Sequence, residues 1–208
     1  MLNIAVMDSD FFIKQGIIAH TRAVNISLKC ASSLIDLTFL LDHCAIDIVV
    51  MELFTQQDDI YDCIEFARIF SLRWPDKKLI IYTQITHKPL MMFVIRTVLY
   101  KDIVFKHDSI QRLTSCLFTR CNGSGLNSSL QIKKWKYIHQ EYASLSYHEW
   151  RVLRLLGKGL APRVVSKEYN LSVKTISQHK TRIMTKLQCR NNFGFMCKLI
   201  EINRLTAA

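Results

Sequence analysis

Placed at 100° per residue, Lys174, Gln178, Thr181 and Thr185 share one side of a helix, with Ser177 and Arg182 on its flanks. The opposite side collects Ile176, Ile183 and Leu187, all within about 20° of Ile176, which makes that side a buried seam. Cations mixed with amide and hydroxyl groups can meet phosphates and base edges together in a major groove. The cations supply affinity and the neutral groups discriminate between bases. Lys180 lies only about 40° from the seam, so its stem should pack while its ammonium reaches outward, toward phosphate. One such helix alone is explained by a solvated polar face, so its surroundings decide the reading.

Other chemistry has little support. No nucleophile stands at a recognisable spacing from a base, and there is no glycine-rich phosphate loop and no metal motif. The chain therefore reads as neither an enzyme nor a holder of a metal, a cofactor or a small-molecule substrate. Seven cysteines occur without a Cys-x-x-Cys pair and read as reduced, mostly buried thiols. The histidines scatter without pattern.

The elements around the polar helix are legible. Ser146 and Glu149 fit a capping box, which starts a helix at Tyr147 carrying Trp150, Val152, Leu153, Leu155 and Leu156 and ending at Gly157-Lys158-Gly159. Pro162 opens a second helix running to about Tyr169. Asn170 turns the chain, and Ser172 caps the polar helix, which spans about four turns. A last helix covers about Asn192 to Leu205. Charge agrees with this grouping: residues 1–120 carry 13 basic and 13 acidic side chains, residues 143–208 carry 12 against 3. A neutral first part and a basic second part point to two units, the second suited to a polyanion. A membrane is disfavoured as the partner. The most apolar stretch, Pro89 to Tyr100, is broken by Arg96 and falls short of the roughly 20 residues needed to span a bilayer. The start of the chain lacks a basic segment before its apolar run, so no secretory signal is expected and the protein should be cytoplasmic.

The span LSYHEWRVLRLLGKG, followed by APRVVSKEYNLSVKTISQHKTRIMTKL, resembles the LuxR/FixJ-type (NarL-like) helix-turn-helix in spacing, glycine positions, the Leu-Ser step and the Lys-Thr-Ile start of the third helix. The resemblance implies that Lys174, Thr175, Ser177, Gln178, Lys180, Thr181, Arg182 and Thr185 meet DNA. It also implies a dimer contact on the last helix, with Phe195, Leu199 and Ile202 as candidates and packing within the fold as the alternative. The Ser-Gln-His-Lys step at 177–180 is similar to a branch that regulates fimbriae, capsule and virulence genes. Three positions depart from the family pattern: Arg151 and Val164 replace glutamates, and Ala161 replaces a capping serine.

Upstream, the runs Ile4–Met7, Ile48–Leu53, Leu79–Thr83 and Ile103–Phe105 are apolar without alternation, as in parallel strands buried on both faces, and a weaker strand lies near Ser27–Cys30. Helical patterns alternate with them at about Phe12–His20, Leu34–His43, Ile60–Leu72, Leu90–Leu99 and Ile110–Cys121. The fold class is thus α/β, a five-stranded doubly wound domain at 1–121, followed by an all-α helix-turn-helix domain at 144–208. Between them NGSGLNSS marks a boundary. The basic, aromatic QIKKWKYIHQEY that follows reads as a linker helix, or as a segment approaching a DNA backbone, within a linker of 122–143.

With the second domain placed, the first resembles a response-regulator receiver of a two-component system across most of its length. Asp8 matches the first of that family's two acidic pocket residues, Ser9 stands at the second, and Asp10 follows one place later. Glu52 stands where the family has its phosphate-accepting aspartate. Thr83 and Lys106 match, and Ile103 replaces the aromatic switch residue. The pocket is therefore degenerate. A magnesium ion would lose a carboxylate, and the extra methylene of Glu52 displaces its oxygen by on the order of 1 Å from where in-line transfer needs it. Glu52 beside Lys106 then either imitates the phosphorylated state or forms a structural ion pair, with phosphorylation-dependent switching as the runner-up.

The expected function is a sequence-specific regulator of transcription that binds double-stranded DNA as a homodimer or as a heterodimer with a related regulator. The alternative is an interaction protein that sequesters such a relative and binds little DNA itself.

Overall fold

A computed structural model describes residues 2–21, 25–100, 102–118 and 144–204. The described residues divide into two compact units. One holds those up to Ile85 together with Thr97–Phe118; the other holds Thr86–Arg96 together with those from Ser144 onward. The segment at 122–143, the last residues of the helix drawn to Cys121 and Leu205 lie outside the described residues.

The first unit is built on strands β1 (Leu2–Met7), β2 (Ile26–Ala31), β3 (Ile48–Met51), β4 (Lys78–Thr83) and β5 (Asp102–Phe105). They form one parallel sheet in the order β2-β1-β3-β4-β5, with Val6 opposite Val50, Val50 opposite Ile80 and Thr83 opposite Phe105. Its helices are α1 (Phe11–Thr21), α2 (Leu34–His43), α3 (Ile60–Arg73) and α5 (Ile110–Phe118); α4 spans Lys88–Thr97. Ile4, Val6, Val50, Ile80, Tyr82 and Val104 pack with Ile17 of α1 and with Leu113 and Leu117 of α5. Ala5, Met7, Val49, Met51 and Ile81, of the opposite parity, are buried as well. Burial of both parities explains why these strands read as unbroken apolar runs.

Strand β3 ends two residues earlier than its apolar run suggests. The Glu52 N–H still donates to the Met7 carbonyl, but Leu53 N–H turns to the Glu52 carboxylate, taking the chain out of the ladder. This exit leaves Glu52 at the carboxyl end of the sheet, beside the matching ends of β1 and β4.

The second unit contains α6 (Tyr147–Gly157), α7 (Pro162–Glu168), α8 (Val173–Lys186) and α9 (Asn192–Arg204). Its local signals act as their chemistry dictates. Ser146 and Glu149 exchange both hydrogen bonds of a capping box. Gly159, at φ +84°, takes the left-handed backbone that closes α6. Pro162 opens α7 after Ala161, which supplies no side-chain cap. Asn170 makes the turn at φ 51°, and Ser172 Oγ accepts from Thr175 N–H to cap α8. The core holds Trp150, Leu153, Val165, Ile176, Ile183 and Phe195. Arg151 has its own role here: its guanidinium lies 4.0 Å from the Tyr169 ring centre, while the Tyr169 hydroxyl donates to the Arg151 carbonyl.

Membership of α4 differs from the sequence reading, which placed it in the first domain. Pro89 to Ile95 are all buried, so this helix is apolar all round, and Phe93 stacks on Trp150 with ring centres 4.7 Å apart. No described helix is long and apolar enough to cross a membrane.

Candidate nucleic-acid interface and acidic pocket

Helix α8 presents Lys174, Ser177, Gln178, Thr181, Arg182 and Thr185 as exposed side chains, while Ile176 and Ile183 face the core. Leu187, the last member of the seam, is buried just past the helix. The hydroxyls of Thr181 and Thr185 donate to the carbonyls of Ser177 and Thr181, both at 3.1 Å. Their protons are thus committed to the helix, and their free lone pairs suit them to accept from a base amino group. Thr175 is half-buried with its hydroxyl 2.9 Å from that of Ser172, so it serves the cap before any ligand. Lys180 is also half-buried, as its place near the seam predicts, but its ammonium lies 5.5 Å from the ring centre of buried Phe195, not in the outward position expected of it.

No carboxylate lies on α8, and Lys174 and Arg182 form no ion pair among the described residues. Lys186, at the end of α8, is differently placed. Its ammonium sits 2.6 Å from Glu149 and donates to the Ser144 carbonyl at 2.9 Å, tying the end of α8 to the start of α6. Burial raises the Glu149 pKa, but the hydrogen bonds from Lys186 and Ser146 outweigh it and hold the carboxyl below its ordinary value. The structure therefore separates the cations of α8 into one that braces the fold and others that face outward.

The dimer candidates need correction. Phe195, Leu199 and Ile202 are 1%, 4% and 0% exposed, so they fill the core of the unit, as the packing alternative had it. The outward apolar side chains of α9 are Phe193, Met196 and Ile200, at 77%, 52% and 47% exposure and at helical spacing. The sequence pattern contained this second stripe, but periodicity alone does not say which of two stripes the core takes.

At the carboxyl ends of β1, β3, β4 and β5 the structure brings Asp8, Glu52, Thr83 and Lys106 together. The Lys106 ammonium bridges Asp8 at 2.8 Å and Glu52 at 2.9 Å, and both carboxylates are almost fully buried. The other Glu52 oxygen accepts from Leu53 N–H at 2.6 Å, and the bridged oxygen also accepts from Gln84 N–H at 3.3 Å. The Thr83 hydroxyl oxygen accepts from Ile85 N–H. Burial pushes Glu52 upward from the usual carboxylate range, with Lys106 and the hydrogen bond from Leu53 pulling it back. Burial alone would lower Lys106, but Glu52 and Asp8 more than reverse this, so the ammonium titrates above its ordinary value.

Asp10 does not replace the missing second carboxylate. Its Oδ1 accepts from Phe12 and Ile13 N–H, so it is spent on starting α1, and Ser9 stands half-buried in the pocket position. Ile103 is buried in β5. No group of three or more metal-ligating side chains occurs among the described residues.

Residues 143–198 match the family of bacterial regulatory proteins, luxR family. No curated protein matches the chain. Among solved structures, two RcsB dimers bound to two parallel DNAs are similar at 21% identity and a TM-score of 0.71, covering 96% of this chain and 98% of that one. RcsB from Salmonella enterica serovar Typhimurium bound to promoter P1flhDC with phosphomimetic BeF3- gives 21% and 0.70, over 95% and 98%. An RcsB–DNA complex gives 21% and 0.67, over 100% and 99%. These likenesses show the two-part fold: a five-stranded receiver-like region followed by a helix-turn-helix region of the luxR type.

Proposed function

We propose, with a luxR-family domain at the C-terminal end as the premise, that this chain is a transcription regulator that binds double-stranded DNA in a sequence-specific way through α8. The observation that carries the reading is the outward face of that helix: cations with no ion pair among the described residues, beside an amide and hydroxyls, and no carboxylate on the helix to repel phosphate. The similar RcsB structures are bound to DNA, which agrees with this assignment.

The regulator works without phosphorylation. A buried glutamate stands at the acceptor position, an ammonium already joins it to Asp8, and Asp10 is occupied as a helix cap. Activity is then set by abundance or by a partner. Copies pair, or pair with a receiver-type relative, through the outward stripe Phe193, Met196 and Ile200 of α9, which gives two recognition helices for two half-sites.

Binding titrations on an operator and on unrelated duplexes at several salt concentrations test the reading. Affinity should fall steeply with salt. Gln178→Ala should cost about 1–3 kcal/mol and relax choice at one base pair, while Lys174→Ala should weaken every duplex alike and reduce the salt slope by about 1. Equal losses on every duplex in both variants would contradict the division of labour, and salt-insensitive binding would contradict the interface.

A further inference from the structure

Helix α4 is apolar all round and groups with the C-terminal unit although it lies between β4 and β5 in sequence. One ring contact places it there. Phe93 stacks on Trp150 of α6 with planes 22° apart, both side chains fully buried. His87, just ahead of the helix, is held down to about pKa 4 by burial and then by the charge of Lys198 on α9, with Glu201 opposing. The segment thus meets α6 through its middle, and charges on α9 act on its start.

Trp150 is the largest fully buried side chain among the described residues, and the helix that carries it packs on α7 and α8 as well. A large aromatic side chain needs a matching apolar surface when it is withdrawn from water, and the Phe93 ring provides one.

We propose that α4 is a working part of the DNA-binding unit, an internal clasp whose Phe93–Trp150 stack fixes α6 and through it the recognition helix α8. The family match at 143–198 does not include this helix, so the unit that binds DNA is larger than the span of the match. The consequence for DNA affinity rests on the function proposed above; the clasp itself does not.

The test uses the full chain. Phe93→Leu keeps apolar bulk but removes the ring, and Trp150→Phe keeps a stack. Amide hydrogen exchange should quicken at Trp150–Leu156 in Phe93→Leu while β1 stays protected, and DNA binding should weaken by roughly 3- to 10-fold. Trp150→Phe should stay closer to the native chain in both readouts. Unchanged exchange at Trp150–Leu156 in Phe93→Leu would overturn the clasp, as would a uniform rise across β1 and α6. Faster exchange in α6 alone, in a chain that binds no DNA even in its native form, would keep the clasp and overturn the DNA reading instead.

Discussion

Lys106 carries the electrostatics of the first unit. It is the ammonium between two buried carboxylates, and removing it would leave Asp8 and Glu52 facing each other in a site nearly closed to water. Lys106→Ala should therefore destabilise the chain by about 3–5 kcal/mol in urea unfolding, whereas Glu52→Ala, which leaves Lys106 with Asp8, should cost less. The pH dependence follows from the raised pKa of Lys106. A base whose folded value is raised gives its full stabilisation below the ordinary 10.5 and loses it as pH climbs through the folded value. The gap between native and Lys106→Ala should hold steady through neutral pH and narrow above 10.5. A gap that stays the same as pH climbs well above that value would show that the bridge is not the source of the effect. Residue identity made this pocket legible only in part. Asp8, Glu52, Thr83 and Lys106 were found from the receiver resemblance, but no pattern revealed that Asp10 would be spent as the α1 cap.

At the level of elements, local chemistry was the most readable. Ser146 with Glu149, Pro162, Asn170 and Ser172 mark helix starts and a turn because each satisfies or avoids a specific backbone group, and the structure uses each in that way. Tertiary choices were less readable. Helix α9 has two apolar stripes, and the sequence does not say which one the core takes, because both have helical period. The observed choice gives a paired expectation. Phe195→Ala should cost about 3–5 kcal/mol of stability, since it empties a buried site. Phe193→Ala should leave stability nearly unchanged and weaken self-association, measured by sedimentation at several concentrations. A Phe193→Ala chain that associates as the native one does would remove α9 from the dimer contact. The placement of α4 had the same cause: a helix apolar on every side gives no direction, so only the folded chain shows that Phe93 meets Trp150.

For the whole molecule, the division of charge was the clearest early signal. A balanced first part and a basic second part anticipate two units, the second suited to a polyanion. The structure adds that the outward cations of α8 lack carboxylate neighbours on their own helix, and that the two carboxylates in the pocket of the first unit are already bridged by Lys106. The central claim is that α8 reads DNA sequence in cells. A genome-wide map of bound DNA, comparing the native chain with a Gln178→Ala, Thr181→Ala variant, tests it most directly. Discrete sites that vanish in the variant are the predicted result; no sites above background, with a receiver-type partner recovered in their place, would contradict it.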